Sequence, residues 1–323
     1  MRLSTAIRVT AWGVVAAGVA APLARKRIGA PKLVTQTVAF AAPFGLCLAV
    51  RRSRGRDVAV CGLQMWAYLA AYKTPHDDEE GQAGRVHIRY PIVVDRAIGL
   101  GELPSLRLQR ALAKFDLSSG EPRWRRLDKT LVWAHWMWFA VPHGALAYVL
   151  VRRPERFAGA AVMTYAVFDL GAMVYWVAPT APPWYAAAVA RQMSYRERDL
   201  RRMMVEYGEH FWRDGWGPLY SVFGGNPLAA MPSLHFATSL MAALLLAETG
   251  PVAGAAGFGY TAVLGFSLVY LGEHYVIDLI GGLALTGTVR RLAPRAGPAL
   301  VGVRRVVAAL EGRAHEGVAE GAG

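Results

Sequence analysis

Two histidines and one aspartate in the last third of the chain have residue types and a spacing that could support nucleophilic catalysis. His274 and Asp278 are four residues apart in an apolar run, which places both side chains on one face of a predicted helix, one turn apart. The carboxylate can bind one imidazole nitrogen and leave the other oriented for attack. His235 begins a second apolar run, and Ser233, two residues earlier, is predicted to cap that helix.

Both helix starts are expected to favour an anionic ligand, because free N–H groups and the helix dipole create positive potential there. Together, His235, His274 and Asp278 therefore indicate phosphate chemistry rather than carbonyl chemistry. Two alternatives stay open on the residues alone. His235 could be a packed histidine that bonds to a neighbouring helix, and the same three residues with Glu273 have the ligand types of a metal site.

The elements that must position these residues are membrane-spanning helices. The chain has 323 residues, 54% of them hydrophobic, and a mean hydropathy of +0.26. Its apolar runs are residues 9–24, 33–50, 58–72, 130–151, 158–178, 233–248, 252–271 and 275–290. Half of them are long enough to cross a bilayer, and the shorter ones are expected to have their ends at the level of the lipid headgroups. Cys47 and Cys61 lie inside such runs, where packing is a better prediction than a disulfide or a metal pair.

Positive charge sets the predicted orientation. The net charge is +13, but the arginines cluster between apolar runs, near residues 51–56, 152–156 and 290–295, which is typical of cytoplasmic loops and not of a nucleic-acid surface. We therefore expect a multi-pass protein of the cell membrane, with its site on the extracytoplasmic face and no nucleic-acid partner. The basic residues between 25 and 32 oppose this orientation, so the run 33–50 could instead lie in the interface or re-enter the membrane.

The polar segments carry further structural predictions. Residues 103–115 have one apolar helical side and are predicted to lie on the bilayer surface, and residues 191–213 are predicted to form a solvated helix. Asp169 needs a partner inside the membrane, and the hairpin geometry of its run predicts a buried hydrogen bond to His143, with a proton path or a heme ligand as the functional alternative. The chain from Arg313 onward, rich in Gly, Ala and Glu, is predicted to be disordered.

Three short motifs give the chain a family resemblance. MPSLH at 231–235 and GEHYVIDLIGG at 272–282 are similar to the second and third signature motifs of the type 2 phosphatidic acid phosphatase superfamily, and VAPTAPPW at 177–184 stands where the first motif belongs. The proline-rich first motif resembles the inositolphosphotransferase branch, which includes inositol phosphorylceramide synthases. GELPSLRLQ at 101–109 also resembles that branch. The resemblance covers residues 58–290.

The resemblance implies an all-α fold, with a six-helix membrane core preceded by one or two extra helices. It implies that His274 attacks phosphorus to give a phosphohistidine, and that Asp278 orients and stabilises the imidazolium. His235 would protonate the leaving oxygen and then activate the acceptor. No metal and no other cofactor is implied. The corresponding domains are N-terminal membrane helices, a catalytic domain and a partly disordered cytoplasmic tail, over residues 1–57, 58–291 and 292–323.

The sequence departs from the phosphatases of this superfamily in its basic residues. Those enzymes carry a Lys and an Arg in the first motif and an Arg six residues before the nucleophile, where this chain has Leu268 and no basic residue in 177–184. The charge that stabilises the transferring phosphate must then come from elsewhere. The predicted substrate-binding residues are Ser233, Pro182, Pro183, Trp184, Tyr270, Arg191 and Arg213, with Lys129 and Arg89 as further candidate cations.

These departures favour a transferase over a plain phosphatase. We predict a membrane-embedded phosphotransferase that acts on a phospholipid or an isoprenoid phosphate and passes the phosphoryl group to a hydroxyl. Residues 191–232, with Trp212, Trp216 and Tyr220, could form a lid that excludes water or an aromatic belt at the interface. The alternatives are a lipid phosphate phosphatase of the same superfamily and, in another class, a lipid transporter or scramblase, whose inverted repeats are not found in the sequence.

Overall fold

The structure is a computed structural model and describes residues 3–73, 84–114, 122–194, 197, 199–223 and 225–316. The predicted all-α fold is confirmed, since the regular elements of this described chain are helices and its β-type contacts are isolated bridges. The chain divides into two compact units, one of residues 1–77 and 291–323 and one of 78–290. These units do not test the domain boundaries predicted at 57 and 291, which stay predictions.

Each predicted apolar run falls within one helix or nearly so, except the run 130–151, which is divided between two helices. The first unit contains α1 (Leu3–Ile28), α2 (Lys32–Ala49), α3 (Arg54–Lys73) and the C-terminal part of α13. The second unit contains α4 (Arg89–Ile98), α5 (Pro104–Leu112), α6 (Arg126–Trp136), α7 (Ala140–Arg152), α8 (Pro154–Val177), α9 (Met203–Trp212), α10 (Trp216–Phe223), α11 (Leu234–Ala247), α12 (Pro251–Tyr270) and the start of α13 (Val276–His315). A 3-10 turn at Met137–Phe139 separates α6 from α7.

Within the described chain, four helices are long and apolar enough to cross a membrane, namely α1, α2, α8 and α12. α11 is also apolar but has 14 residues. Pro154 and Pro251 stand in the first turns of α8 and α12, where a missing N–H removes no helical hydrogen bond. These helices make the chain a membrane protein, as its composition predicts.

The first unit is held together by a close helical hairpin. A Cβ on Gly18 of α1 would lie 2.5 Å from the Cβ of Ala42 on α2, so glycine is needed for the approach of the two helices. Arg56 of α3 is buried and donates to the carbonyls of Cys47 and Val50, at 3.1 Å each. The guanidinium therefore stabilises the negative end of α2.

In the second unit, α7, α8, α12 and α13 pack around α11. A Cβ on Gly282 of α13 would lie 2.8 Å from the carbonyl oxygen of Ser233, and one turn later the Thr286 hydroxyl donates to the carbonyl of Ala237 at 2.9 Å. The two helices that carry the candidate histidines thus meet backbone to backbone at one glycine.

The predicted hydrogen bond between His143 and Asp169 is wrong. Nδ1 of His143 lies 2.7 Å from the carbonyl oxygen of Phe139, and Nε2 has no hydrogen-bond partner among the described residues. The competing acceptor is local, because Phe139, the last residue of the 3-10 turn, lies four residues before His143. The prediction pairs residues that are equally far from the turn between two continuous helices, and it does not include a 3-10 turn within the first helix.

Three predictions about polar segments are also corrected. In residues 191–213 the helix is confined to α9, and Arg196 and Arg198 lie outside the described residues. The apolar side of α5 packs into protein rather than onto a bilayer, since Leu106 is 2% exposed. Helix α13 continues through the start of the tail predicted to be disordered and ends at His315, and residues 317–323 lie outside the described chain.

We predict that Gly282→Ala lowers the melting temperature of the purified protein, because the new methyl group must push apart the backbones of α11 and α13, a change that costs about 1–3 kcal/mol. Gly287→Ala is the matched control on the same helix, since an added Cβ there meets nothing within 4 Å. The control should keep or slightly raise the melting temperature. Equal melting temperatures for the two variants would contradict the close approach at Gly282.

Candidate active site

The loop before α13 carries His274, and the first turn of that helix carries Asp278. Nδ1 of His274 lies 3.2 Å from Oδ2 of Asp278, and the same oxygen accepts the backbone N–H of Tyr275 at 2.9 Å. Both His274 and Asp278 are buried. The contact expected from their spacing is therefore present, and it leaves Nε2 of His274 as the nitrogen available for attack.

His235 lies directly opposite this nitrogen. Its Nδ1 is 3.2 Å from Nε2 of His274. Ser233 is fully buried and caps α11 as predicted, because its hydroxyl accepts the N–H of Phe236 at 3.4 Å. The N–H of Ser233 donates in turn to the carbonyl of Asp278 at 2.9 Å. The starts of α11 and α13 are thereby joined, and the three predicted catalytic residues form one group.

The N-terminus of α13 is closed by protein groups rather than open to an anion. Asp95 of α4 is fully buried and accepts the N–H groups of Val276 and Ile277 at 3.1 and 3.0 Å. Burial raises the pKa of Asp95 to about 6, against the two backbone hydrogen bonds that lower it. The prediction of free N–H groups beside His274 is therefore wrong for this helix, whose dipole is met by a carboxylate.

The proline-rich stretch at 177–184 positions the chain that leads into His235. The N–H of Thr180 donates to the carbonyl of Leu228 at 2.9 Å, and the carbonyl of Thr180 accepts the N–H of Ala230 at 3.1 Å. Pro182 and Pro183, predicted to bind substrate, are buried. Their stiff backbone therefore supports the loop before α11 as well as the turn that follows.

A partly buried ion pair lies next to the candidate nucleophile. Nε and Nη2 of Arg202 donate to the two carboxylate oxygens of Glu273 at 2.9 and 3.2 Å, and the guanidinium lies 3.8 Å from the ring centre of Trp184. Burial opposes both charges, but the pair outweighs it, so the pKa of Glu273 is lowered and that of Arg202 is raised. Glu273, a ligand in the metal alternative, is thus occupied, and the described residues contain no group of three candidate metal ligands.

The segment predicted to form a lid packs over the end of the helices that carries the site. Met203, Tyr207 and Trp216 share one apolar cluster with Leu131 and Leu271. The N–H of Met203 donates to the carbonyl of Leu271 at 3.1 Å, just before the candidate nucleophile. Trp216 is 8% exposed, as in a packed cover, whereas Trp212 is 42% exposed, as in an aromatic belt, so both roles predicted for the segment stay open.

Three other predicted substrate-binding residues lie in different surroundings. Tyr270 is fully buried, and its hydroxyl donates to Asp128 at 2.6 Å, so it supports the fold rather than binding substrate. Arg191 and Arg213 are exposed, each on a turn where its φ is 49°. Their assignment stays a prediction.

Sequence reasoning missed a third histidine beside the group. His135 of α6 is 9% exposed and stacks on His235, with ring centres 4.9 Å apart and planes at 25°. The ring centre of Trp138 lies 4.1 Å from that of His235. The indole N–H of Trp138 donates to the hydroxyl of Thr238 at 2.9 Å. In the sequence, His135 is one polar residue inside an apolar run, and only the fold of the chain brings it to His235.

The extent of the family match decides the classification. The sequence profile of the PAP2 superfamily matches residues 125–292, which is just over half of the 323 residues. The matched region includes His235, His274 and Asp278. The chain belongs to the PAP2 superfamily. The resemblance inferred from the short motifs is therefore confirmed.

Two fungal proteins give a functional comparison within this family. The inositol phosphorylceramide synthase catalytic subunit of Schizosaccharomyces pombe is 30% identical over 128 residues, 38% of this chain and 29% of that protein. Inositol phosphorylceramide synthase of Candida albicans is 31% identical over 125 residues, 37% of this chain and 26% of that protein. The matched region thus spans less than a third of the length of these relatives. No solved structure is significantly similar to the chain.

Proposed function

We propose that this PAP2 protein is a membrane lipid phosphotransferase that works through a phosphohistidine at His274. The observation that carries the proposal is the line of side chains from Asp278 through His274 to His235. Oδ2 of Asp278 lies 3.2 Å from Nδ1 of His274, and Nε2 of His274 lies 3.2 Å from Nδ1 of His235. A carboxylate behind one histidine and a second histidine in front of its free nitrogen supply a nucleophile, an orienting group and a general acid–base.

The proposed reaction has two halves. Nε2 of His274 attacks phosphorus, a P–N bond forms, and the bond from phosphorus to the leaving oxygen breaks while His235 gives that oxygen a proton. Asp278 stabilises the imidazolium that results. In the second half an acceptor hydroxyl gives its proton to His235, its oxygen attacks phosphorus, and the P–N bond breaks to restore His274. The substrate replaces the resting contact between the two histidines.

Transfer rather than hydrolysis is favoured by the names of the similar proteins and by the apolar segment that contains Met203, Tyr207 and Trp216. The similar fungal proteins are named as inositol phosphorylceramide synthases, so we propose a phospholipid donor with a polyol headgroup and a lipid hydroxyl as acceptor. A transferase must keep water from the phosphohistidine, and the cluster around Trp216 lies where such a cover is needed. A lipid phosphate phosphatase is the second candidate, since it shares the superfamily and the first half-reaction.

We further propose that Arg202 supplies the positive charge that the first motif lacks. Trp184 of that motif carries the guanidinium on its ring face, so the motif positions a cation from another segment. Glu273 uses two of the five N–H donors of Arg202, which leaves others for a phosphate oxygen. A substrate phosphate beside Glu273 would otherwise be repelled, and fixed positive charge at that point stabilises the transition state.

A double variant that swaps the two charges distinguishes a role of Arg202 in binding phosphate from a purely structural role of its ion pair. Arg202→Ala should lower kcat/KM by about a hundredfold or more, and the double variant Arg202→Glu with Glu273→Arg should keep its melting temperature but stay inactive, because the cation is then displaced. Arg201→Ala is the neighbouring control, since Arg201 pairs with Glu206 in the same segment. Activity near wild type in the double variant would show that the pair only holds the fold.

The function is tested with purified protein in lipid nanodiscs and donors labelled in the phosphate. The expected result is a labelled second lipid that forms only when both a phospholipid with a polyol headgroup and a lipid hydroxyl are present. His274→Ala and His235→Ala should abolish the product, and Asp278→Asn should leave a small residual rate because Asp278 orients but does not attack. Release of inorganic phosphate from simple lipid phosphates, unaffected by any acceptor, would establish the phosphatase instead.

We also propose that the site faces the outside of the cell membrane, because the arginine-rich loop between α7 and α8 is typical of the cytoplasmic side. In a background with Cys47 and Cys61 replaced by alanine, Glu209→Cys in α9 should react with a membrane-impermeant thiol reagent in intact cells. Arg153→Cys should react only after the cells are permeabilised. The reverse labelling pattern would place the chemistry in the cytoplasm.

A further inference from the structure

His135 is a buried polar group that neither the fold nor the proposed mechanism uses. The residue is 9% exposed, and its Nδ1 and Nε2 both lack a hydrogen-bond partner among the described residues. Buried polar groups in native proteins are almost always hydrogen bonded, and one that is not requires an explanation such as a ligand that supplies the partner. A phenylalanine would fill the same space on α6 without leaving polar atoms unpaired.

The position of His135 indicates which part of a ligand it would meet. Its ring lies nearly parallel to that of His235, at 25° and 4.9 Å between centres, and His235 in turn contacts Nε2 of His274. Because the two rings are in contact, an oxygen atom bound to His235 lies close to His135 as well. That oxygen is the one that leaves phosphorus in the first half-reaction and attacks it in the second.

We propose that His135 is a substrate-binding residue of the site and hydrogen bonds the leaving and entering oxygen that His235 protonates and deprotonates. The inference rests on the proposed function and adds a residue to it. His135 transfers no proton in either half-reaction. It fixes the lipid alcohol so that its oxygen lies in line with phosphorus and Nε2 of His274, and positioning of this kind is worth large factors in rate.

Two substitutions separate hydrogen bonding from ring packing. His135→Phe keeps a flat ring against His235 and removes both nitrogens, whereas His135→Gln keeps a donor and an acceptor and removes the ring. If His135 binds the oxygen, His135→Phe lowers kcat/KM for the lipid acceptor by about tenfold to a hundredfold and His135→Gln recovers much of it. His143→Phe is the control, because that histidine lies on α7 against Phe139, Tyr165 and Phe168.

The assay follows labelling of the enzyme from a phosphate-labelled phospholipid and the loss of that label to a lipid hydroxyl, with the melting temperature of each variant as a check of folding. Wild-type protein that takes up no label from any phospholipid overturns the proposed function itself. Wild-type protein that turns over, together with His135→Phe that matches it in both steps, overturns only the role of His135. Retention of activity by His135→Phe with loss in His135→Gln would assign His135 to ring packing.

Discussion

The site depends on the contacts of one residue, Asp278. Its side chain binds Nδ1 of His274 and the N–H of Tyr275, while its backbone carbonyl accepts the N–H of Ser233 at the start of α11. One residue therefore sets the direction of the nucleophile, closes the first turn of α13 and fixes the helix that carries His235. The carboxylate is buried, so its charge acts on the imidazole with little screening by water.

The segments outside the long helices have a common task, which is to hold the starts of α11 and α13. Asp95 of α4 caps α13, and Thr180 in the proline-rich stretch is bonded to the chain before α11. Gln109 of α5 donates to the carbonyls of Arg201 and Tyr270 at 2.8 and 2.9 Å. Most of these contacts bind backbone groups of the loops, so the position of the loops depends little on their own side chains. His235 and His274 are then the residues that distinguish the site chemically.

Sequence alone predicted the parts of this arrangement that depend on local periodicity. Runs of apolar residues gave the helices, and the four-residue spacing of His274 and Asp278 gave their contact. Asp95, Arg202 and His135 were missed because nothing in their own neighbourhoods distinguishes them from other acidic, basic or membrane residues. Their roles come from partners about 70 to 180 residues away in the chain, and such pairings are decided by tertiary packing rather than by local pattern.

The central claim is that Nε2 of His274 becomes bonded to phosphorus. The most direct test is to mix purified protein with a phosphate-labelled phospholipid, stop the reaction within one turnover and locate the label by mass spectrometry. The expected result is a phosphoryl group, with its headgroup, on His274, through a bond that acid breaks and alkali does not, and no label in His274→Ala. A label on any other residue, or turnover by His274→Ala at the wild-type rate, would contradict it.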